Sequence, residues 1–365
     1  MLKDFLRVMR PANTKDTAKL IQAESWRSVA MMLLLPALLL AQAKPLKWGD
    51  VPAADLAMAS FAPDSNAAAV ILGDYGEVYF DEDVNMVFTR HRRIKILSAA
   101  GYEWGSHSID YIAQERHQWV SDIAGQTLKL AANGSVRIDK LDKAAIFDEE
   151  VSEGARRIRF TLPALAPGAV VEYRYTVHWS QGFSGNLQDW AFQTSEPTRW
   201  SEFRAAIPSD LRFIDMRFVI VKENIPAFTI EETASENSTL ALNKYYYDSS
   251  YRGGHSSVKR ETVYEQMTIK RQRWAMQNVP ALRPEPFITT LENYRARLYF
   301  QLAEIQFFMG RPLKLAPTWE KVAEDLIDSP SFGKQIERRG DWCGQAETLI
   351  ASCSNAEQKI RVIYD

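Results

Sequence analysis

Cysteine is scarce in this chain of 365 residues: only Cys343 and Cys353 occur, both near the end. A disulfide framework therefore cannot stabilise the long stretch before them, and a hydrophobic core must do so. A bridge between the two would close only a small loop, and their spacing alone does not establish the geometry that a disulfide needs. We expect no structural disulfide.

An excess of charge of either sign is also lacking. The sequence contains 44 Lys and Arg residues and 46 Asp and Glu residues, so its formal net charge is −2. Nucleic-acid binding proteins usually carry a cluster of Lys and Arg residues, and this sequence has none. We therefore expect no nucleic-acid partner. The composition, 46% hydrophobic and 25% charged, excludes a fully disordered chain, and the length favours two or three compact units.

No hydrophobic run is long enough for a stable membrane span, which needs about 20 residues. The longest, VAMMLLLPALLL at residues 29–40, contains Pro36. Arg27 precedes it and the triplet Ala-Gln-Ala at 41–43 follows, which is typical of a secretory signal peptide. We therefore predict that residues 1–43 are a signal peptide and that the protein is exported, to the periplasm or outside the cell. The alternative is a buried helix of the first domain.

Motifs for nucleotides and metals are missing as well. Strand–helix–strand alternation, G-x-G-x-x-G and phosphate-loop patterns do not occur, which disfavours a doubly wound nucleotide fold. The histidines are scattered without an i,i+4 pair, whereas a zinc or non-haem iron site needs clustered ligands. They are His91, His107, His117, His178 and His255. We predict no cofactor, no metal site and no catalytic residue in this chain.

Two further candidates for chemistry are weak. The acidic stretch at residues 139–153 lacks the D-x-D-x-D-G spacing of a calcium loop, and it predicts a solvated, mobile loop. Cys343 lies in Asp-Trp-Cys-Gly-Gln-Ala, which superficially resembles a thiol nucleophile entering a helix. A nucleophilic cysteine needs a histidine partner or a helix N-terminus, and every histidine lies upstream in a strand-rich region. We predict that Cys343 is not catalytic.

Alternation with a period of two is the dominant positive signal. After the turn at Pro167 and Gly168, apolar residues at 171, 173, 175, 177 and 179 share one face of a strand. The other face carries Glu172, Arg174 and His178, so we predict one dry face and one wet face, as in an antiparallel sheet. Similar alternation occurs at 84–96 and 158–162, and further strand candidates are 187–194, 213–221, 228–232, 262–273 and 294–302.

These patterns predict a mainly β fold, an antiparallel β-sandwich region followed by a short α-helical tail. Residues 44–74 form a short helical and turn-rich lead-in. The β-sandwich region covers 75–302, with two sub-domains that meet near residue 210 as one alternative. The tail, 303–365, contains an apolar helical face after Thr318 and a capping box at Ser354 and Glu357.

Eight stretches, taken together and in order, resemble an uncharacterised bacterial domain of unknown function that precedes transglutaminase-like domains in exported proteins. No single stretch is specific. The stretches are KWGDV (47–51), DSNAAAVIL (64–72), LAPG with VEYRY (165–175), LQDWAFQ (187–193), NVPAL with EPF (278–287), YRARL (294–298), SFGK (331–334) and KIRVIYD (359–365).

The resemblance implies a β-sandwich that is followed in the chain by a papain-like domain with a Cys–His–Asp triad. In the family, the Lys-Ile-x-x-Ile-Tyr-Asp pattern at 359–365 precedes the catalytic cysteine. Cys343 lies before this pattern, so the family's nucleophile does not correspond to Cys343, and no position matches the family's histidine or aspartate. The resemblance implies that residues from Ser354 begin the transglutaminase-like domain and that catalysis lies beyond Asp365.

Three hypotheses follow. The chain is a non-catalytic N-terminal accessory domain of an exported transglutaminase-like protein, positioning the downstream domain or binding a protein substrate. Alternatively, it is a free-standing β-sandwich module that binds a cell-envelope protein or glycan. In the third hypothesis the chain is an enzyme with its own site, which would need Cys343 against a histidine.

Export predicts a defined mature N-terminus. Because the apolar run ends in Ala-Gln-Ala, the mature protein should begin at Lys44 or within a few residues of it. Mass spectrometry of the N-terminal peptide, purified from the exported fraction, measures this directly. A mature chain that still contains Arg27 would refute the signal peptide.

Overall fold

The structure, a computed structural model, describes residues 46–114, 117–180, 187–209, 214–248, 257–307, 313–314, 318–338, 340 and 343–364. The predicted signal peptide and His255 lie outside these residues. Within them the chain is mainly β with a short C-terminal helical region, which confirms the predicted fold class. No helix of the described part is both long and apolar enough to cross a membrane.

Strands account for most of the regular structure. In chain order they are β1 (Ala69–Phe80), β2 (Met86–Ile96), β3 (Ser106–Ile112), β4 (Gln118–Leu130), β5 (Val136–Lys140), β6 (Ile146–Ser152), β7 (Ala155–Thr161), β8 (Val170–Trp179), β9 (Trp190–Ala191), β10 (Thr198–Pro208), β11 (Ile214–Glu223), β12 (Ile230–Asp248), β13 (Ser257–Val279), β14 (Arg297–Phe307) and β15 (Leu313–Lys314).

The helices are short. The α-helices are α1 (Ala53–Ala57), α2 (Trp319–Asp328), α3 (Cys343–Ile350) and α4 (Ala356–Tyr364). Short 3-10 helices occur at Ala99–Gly105, Lys143–Ala145, Leu291–Tyr294 and Gly333–Glu337. Thr318 caps α2 by accepting a hydrogen bond from the Lys321 amide, as predicted. At α4 the cap is shifted by one residue, because Asn355 rather than Ser354 accepts from the Gln358 amide.

Three sheets build the β region. The large sheet has the order β12-β13-β10-β1-β2-β8-β4-β5, and all its pairs are antiparallel except β1 with β10. A second sheet has the order β11-β14-β15, with β9 also paired to β14, and a third has the order β3-β7-β6. One core cluster joins all three, for example Tyr173 of the large sheet, Phe160 of β7 and Phe300 of β14. We call this side of the large sheet its inner face.

Strand β8 follows the predicted alternation on its inner side. Gly168 adopts φ 83° in the turn before it, a left-handed conformation that glycine reaches without strain. Tyr173 and Tyr175 are buried in the core, and their neighbour Arg174 is exposed on the opposite, outer face.

The wet face predicted for β8 is only partly correct. Arg174 is exposed and His178 is half-buried, but Glu172 is fully buried. The reason is a chain segment that covers part of the outer face: α1 and the residues around it pack there in a second apolar cluster with Leu56, Val70 and Leu128.

The acidic stretch is not the predicted loop. Residues 146–152 of it form strand β6, whose carboxylates pair with arginines of β7 across the ladder. Arg156 Nε donates to Asp148 Oδ1 over 3.0 Å, and Arg159 Nη2 donates to Glu149 Oε2 over 2.5 Å. Strand β6 escaped the sequence pattern because it is almost entirely exposed on both faces, so its apolar residues do not alternate, whereas β7 of the same sheet was predicted at 158–162. In β4 a register shift between Ser121 and Ala124 breaks the alternation.

The register of β8 makes a stability prediction. Tyr173→Ala should lower the free energy of unfolding by about 3–5 kcal/mol, because it empties a large aromatic site that is only 2% exposed. Arg174→Ala should lower it by less than about 1 kcal/mol, the strength of an exposed contact between a cation and a ring. Urea denaturation measures both values. The opposite ranking would mean that the strand is shifted by one residue.

Candidate functional site: a groove on the outer face of the large sheet

Among the residues that the structure describes, the sequence candidates for catalysis are not assembled into a site. Cys343 is the first residue of α3, and both Cys343 and Cys353 are free thiols. His107 is half-buried and stacks on the rings of Tyr173 and Tyr175, with centroid distances of 4.6 and 5.4 Å. Burial and the nearby arginines lower the pKa of His107 to about 3, so this ring is neutral.

The other histidines that the structure describes make only local contacts. His178 stacks on Trp119 with a centroid distance of 4.7 Å, and His91 Nε2 donates to Glu172 Oε1 over 2.8 Å. His117 donates its backbone amide to the Gln114 carbonyl. In the part of the chain that the structure describes, no group of three or more His, Cys, Asp or Glu side chains could hold a metal ion.

The outer face of the large sheet carries a different arrangement. Residues 46–58, here called the strap, cross this face and are tied to it by charged side chains. Arg93 donates to the carbonyl of Asp50 over 2.9 Å and to that of Lys47 over 2.7 Å. At the other end of the strap, Arg199 forms a bidentate pair with Asp55, at 2.6 and 2.7 Å.

Glu172 is the centre of the strap's attachment. Its carboxylate accepts hydrogen bonds from the Gly49 amide, from Gln126 and from Arg93, at 2.8, 2.8 and 2.6 Å. Gly49 adopts φ 74°, where a side chain would be strained. Burial by itself would raise the pKa of Glu172, but the His91 hydrogen bond, the charge of Arg93 and the other donors outweigh it and lower the pKa to about 2.

Lys95 holds the strap at a third point. Its side chain is fully buried, and its ammonium donates to the carbonyls of Leu56 and Gly168, each over 2.7 Å. Burial lowers the pKa of Lys95 to about 8, although the charge of Asp55 opposes the shift. The strap is therefore fixed by ions and backbone hydrogen bonds as well as by its apolar contacts.

A groove of about 660 Å³ lies between the strap and the outer face. It runs across β10, β1, β2, β8 and β4, and Trp48 of the strap lines it. The volume is in the usual range for small-molecule sites, which is about 300–1,000 Å³. Its outer-face side chains include Tyr75, Glu77, Thr89, Arg174, Thr176 and Arg204.

Arg174 is the least engaged cation of the groove. Its guanidinium lies over the Trp48 ring, with Cζ 4.9 Å from the centroid, and it forms no ion pair among the described residues. The other arginines are paired: Arg204 Nε lies 2.6 Å from Glu202 Oε1, and Arg90 binds Asp74. An exposed guanidinium held over an indole ring is well placed to bind a carboxylate or another anion through two hydrogen bonds.

Neutral hydroxyl groups line the middle of the groove. Thr89 of β2 and Thr176 of β8 lie directly opposite each other, and Glu77 of β1 lies opposite Thr89. Neither threonine hydroxyl has a hydrogen-bond partner among the described residues. The groove thus combines an anion-binding group, the carboxylates of Glu77 and Asp122 and a pair of unused hydroxyls, a set that binds polar ligands without assembling a catalytic triad.

Sequence reasoning missed the groove because it treated the outer face as solvated. One signal was present: His91, Arg93 and Lys95 occupy consecutive outward positions of β2, and Glu172 lies opposite Arg93 on β8. Such a run of charge on one face of a strand is compatible with a buried network as well as with solvent. Only the position of the strap distinguishes the two.

The network around Glu172 predicts a pH-dependent stability. Glu172→Gln should lower the free energy of unfolding at pH 7 by about 3–5 kcal/mol, because Arg93 loses its buried partner. The pKa of Glu172 is lowered from 4.5 to about 2, so its contribution is present above pH 4.5 and lost as the pH falls towards 2. The difference between wild type and variant should therefore shrink over that range.

Urea denaturation at pH 7, at about pH 4 and at about pH 2.5 measures this difference. The matched control is Glu77→Gln, a half-exposed glutamate of the same sheet, which should change stability by less than about 0.5 kcal/mol. A difference for Glu172→Gln that does not change with pH would contradict the lowered pKa.

Comparison with known proteins places the chain by fold. Among solved structures, it is similar to the crystal structure described as "a putative protease" from Parabacteroides distasonis, with a TM-score of 0.50, 14% identity, and coverage of 82% of this chain and 49% of that chain. The chain thus spans about half the length of this relative. At this identity the likeness shows the fold alone.

Another solved structure, an M1 zinc metallopeptidase from Deinococcus radiodurans, matches with a TM-score of 0.23 and 11% identity over 57% of this chain and 42% of that chain. A TM-score this low supports no argument. No curated protein matches the chain.

The profile of the family described as "Domain of Unknown Function with solved-structure structure (DUF3857)" matches residues 82–283, which is more than half of the chain. The chain belongs to this family, DUF3857.

Proposed function

We propose that this chain is the non-catalytic N-terminal accessory domain of a longer exported protein, and that its helical tail docks on a transglutaminase-like domain that follows. In this role the β region positions the downstream domain or binds its protein substrate. The catalytic Cys–His–Asp triad would be supplied by the downstream domain.

The observation that carries the proposal is the exposed apolar surface of the helical tail. Helices α2, α3 and α4 contain no buried residue. Trp319 is 85% exposed, Ile336 is 92% exposed and Tyr364 is 90% exposed. An amphipathic helix is stable in water only when its apolar face is packed against another element, and helices this short are marginal alone.

The sequence of the tail indicates which kind of domain packs on this surface. The stretch 359–365 lies in and just after α4 and resembles the pattern that precedes the catalytic cysteine in transglutaminase-like proteins. The similar solved chain is about twice as long as the matched part and carries a protease description, which agrees with a parent protein that cleaves or transfers amides. Export is supported by the signal-peptide pattern at residues 1–43.

The alternative is a free-standing β-sandwich module that binds a cell-envelope protein or glycan. The outer-face groove favours it, because a groove with an unpaired arginine and free hydroxyls can bind a ligand without any downstream domain. The two functions differ in what covers the helical tail. An accessory domain buries the tail, whereas a free-standing module leaves it exposed.

Hydrogen exchange of the helical tail tests the accessory role. In the 365-residue chain, amides of α2 and α4 should exchange close to the rates of an unfolded peptide, because neither helix has a buried face. In a protein that continues into the downstream domain, the same amides should be protected by about a hundredfold or more, which corresponds to about 3 kcal/mol.

A pair of variants in the longer protein sharpens the test. Ile363→Glu places a charge on the apolar face of α4 and should abolish the protection. Lys359→Glu introduces the same side chain at an exposed polar position of the same helix and should leave the protection unchanged. Equal protection in the short and long proteins would contradict docking of the tail.

A further inference from the structure

The outer-face groove contacts a ligand mainly with side chains. Four of its five strands, β10, β1, β2 and β8, are paired on both sides, so their backbone amides and carbonyls are used within the sheet. The fifth strand, β4, pairs with β8, but it pairs with β5 only at residues 126–130. An extended peptide usually binds by adding a strand to a free sheet edge, and along the groove the described residues offer such an edge only in β4 before residue 125.

The side chains in the groove match a polyhydroxylated ligand. The unused hydroxyls of Thr89 and Thr176 each act as donor and acceptor, as sugar hydroxyls do. Glu77, opposite Thr89, carries a carboxylate that can accept hydrogen bonds from hydroxyl groups. Tyr75 adds an aromatic ring to the lining, on which the C–H face of a sugar ring can lie.

The same groove holds one unpaired positive charge. Arg174 is exposed and is held by Trp48, whose ring lies 4.9 Å from its Cζ. Trp48 is in turn anchored next to Gly49, which donates its amide to Glu172 over 2.8 Å. The guanidinium is therefore pre-organised, which reduces the entropy lost when it binds a carboxylate.

We propose that this groove binds an acidic oligosaccharide, with a sugar carboxylate on Arg174 and sugar hydroxyls on Thr89, Thr176 and Glu77. The volume of about 660 Å³ fits a ligand of a few sugar units rather than a folded protein surface. The inference goes beyond the accessory role, because the helical tail takes no part in the groove. It assigns a binding site and a class of ligand to the alternative function, a free-standing module that binds a cell-envelope component.

Calorimetric titration of the purified chain with three probes tests the ligand class. The probes are tri-galacturonate, the same trisaccharide with its carboxylates methyl-esterified, and tri-glutamate. Tri-galacturonate should bind, and its ester should bind at least about tenfold more weakly, because it has the same rings but no charge for Arg174. Tri-glutamate, which carries the charges without the sugar hydroxyls, should also bind at least about tenfold more weakly.

Three variants locate the site. Arg174→Gln should weaken binding of tri-galacturonate by about tenfold or more, and Thr176→Val by about fivefold, the effects of a charged and a neutral hydrogen bond. Arg137→Gln is the matched control, because Arg137 is an exposed arginine of β5 in the same sheet but does not line the groove. It should bind as the wild type does. Thermal melting checks that each variant is folded.

The results separate the two proposals. Equal affinity for tri-galacturonate and its ester, or unchanged binding by both Arg174→Gln and Thr176→Val, overturns the acidic-saccharide site. Tighter binding of tri-glutamate assigns the groove to an acidic protein segment and also overturns it. If Arg174→Gln does not fold, Thr176→Val and the ester comparison decide. None of these results depends on protection of the helical tail, so either proposal can fail alone.

Discussion

The buried carboxylate of Glu172 is the constraint on which the outer half of the molecule depends. A carboxylate removed from water without partners costs several kcal/mol, so its donors must all be present when it is buried. Arg93 and His91 come from the neighbouring strand β2, but the Gly49 amide comes from the strap. The strap and the sheet therefore form one cooperative unit, and the groove exists only while the strap is attached.

A second buried charge cluster sets the register of the inner face. Asp74 of β1 accepts hydrogen bonds from Arg90 and Arg92 of β2, at 2.6 to 2.9 Å, and Asp74 lies directly opposite Arg92 in the ladder. A slip of one residue would move the arginines to the other face and leave Asp74 unpaired in the core. The guanidinium of Arg90 also lies 4.8 Å from the centroid of the Trp190 ring, which ties the large sheet to the second sheet.

Sequence alternation predicted the parts of the fold whose burial is apolar. It identified β8, whose inner positions are all hydrophobic or aromatic, and the two apolar ends of β2 on either side of Arg90 and Arg92, and it identified the strand β14, which contains Leu298 and Phe300. It failed where burial is ionic. Glu172 and Lys95 are fully buried, yet a pattern based on hydrophobicity assigns both to solvent. It also could not find the groove, because Trp48 and Arg174 are 126 residues apart and only the crossing of the strap brings them together.

The two unassigned surfaces differ in physical character, which bears on how each is used. The apolar face of the helical tail favours permanent burial, because exposing it costs free energy whenever the partner is absent. The groove combines the rings of Trp48 and Tyr75 with polar and charged side chains and is open to solvent, so it does not need a permanent partner. Because Trp48 belongs to the strap, a ligand that binds to Arg174 and Trp48 also stabilises strap attachment, by RT ln(1 + [L]/Kd). Conversely, any change that weakens the bond between Glu172 and Gly49 loosens the wall of the groove and must weaken ligand binding, even though neither residue contacts the ligand.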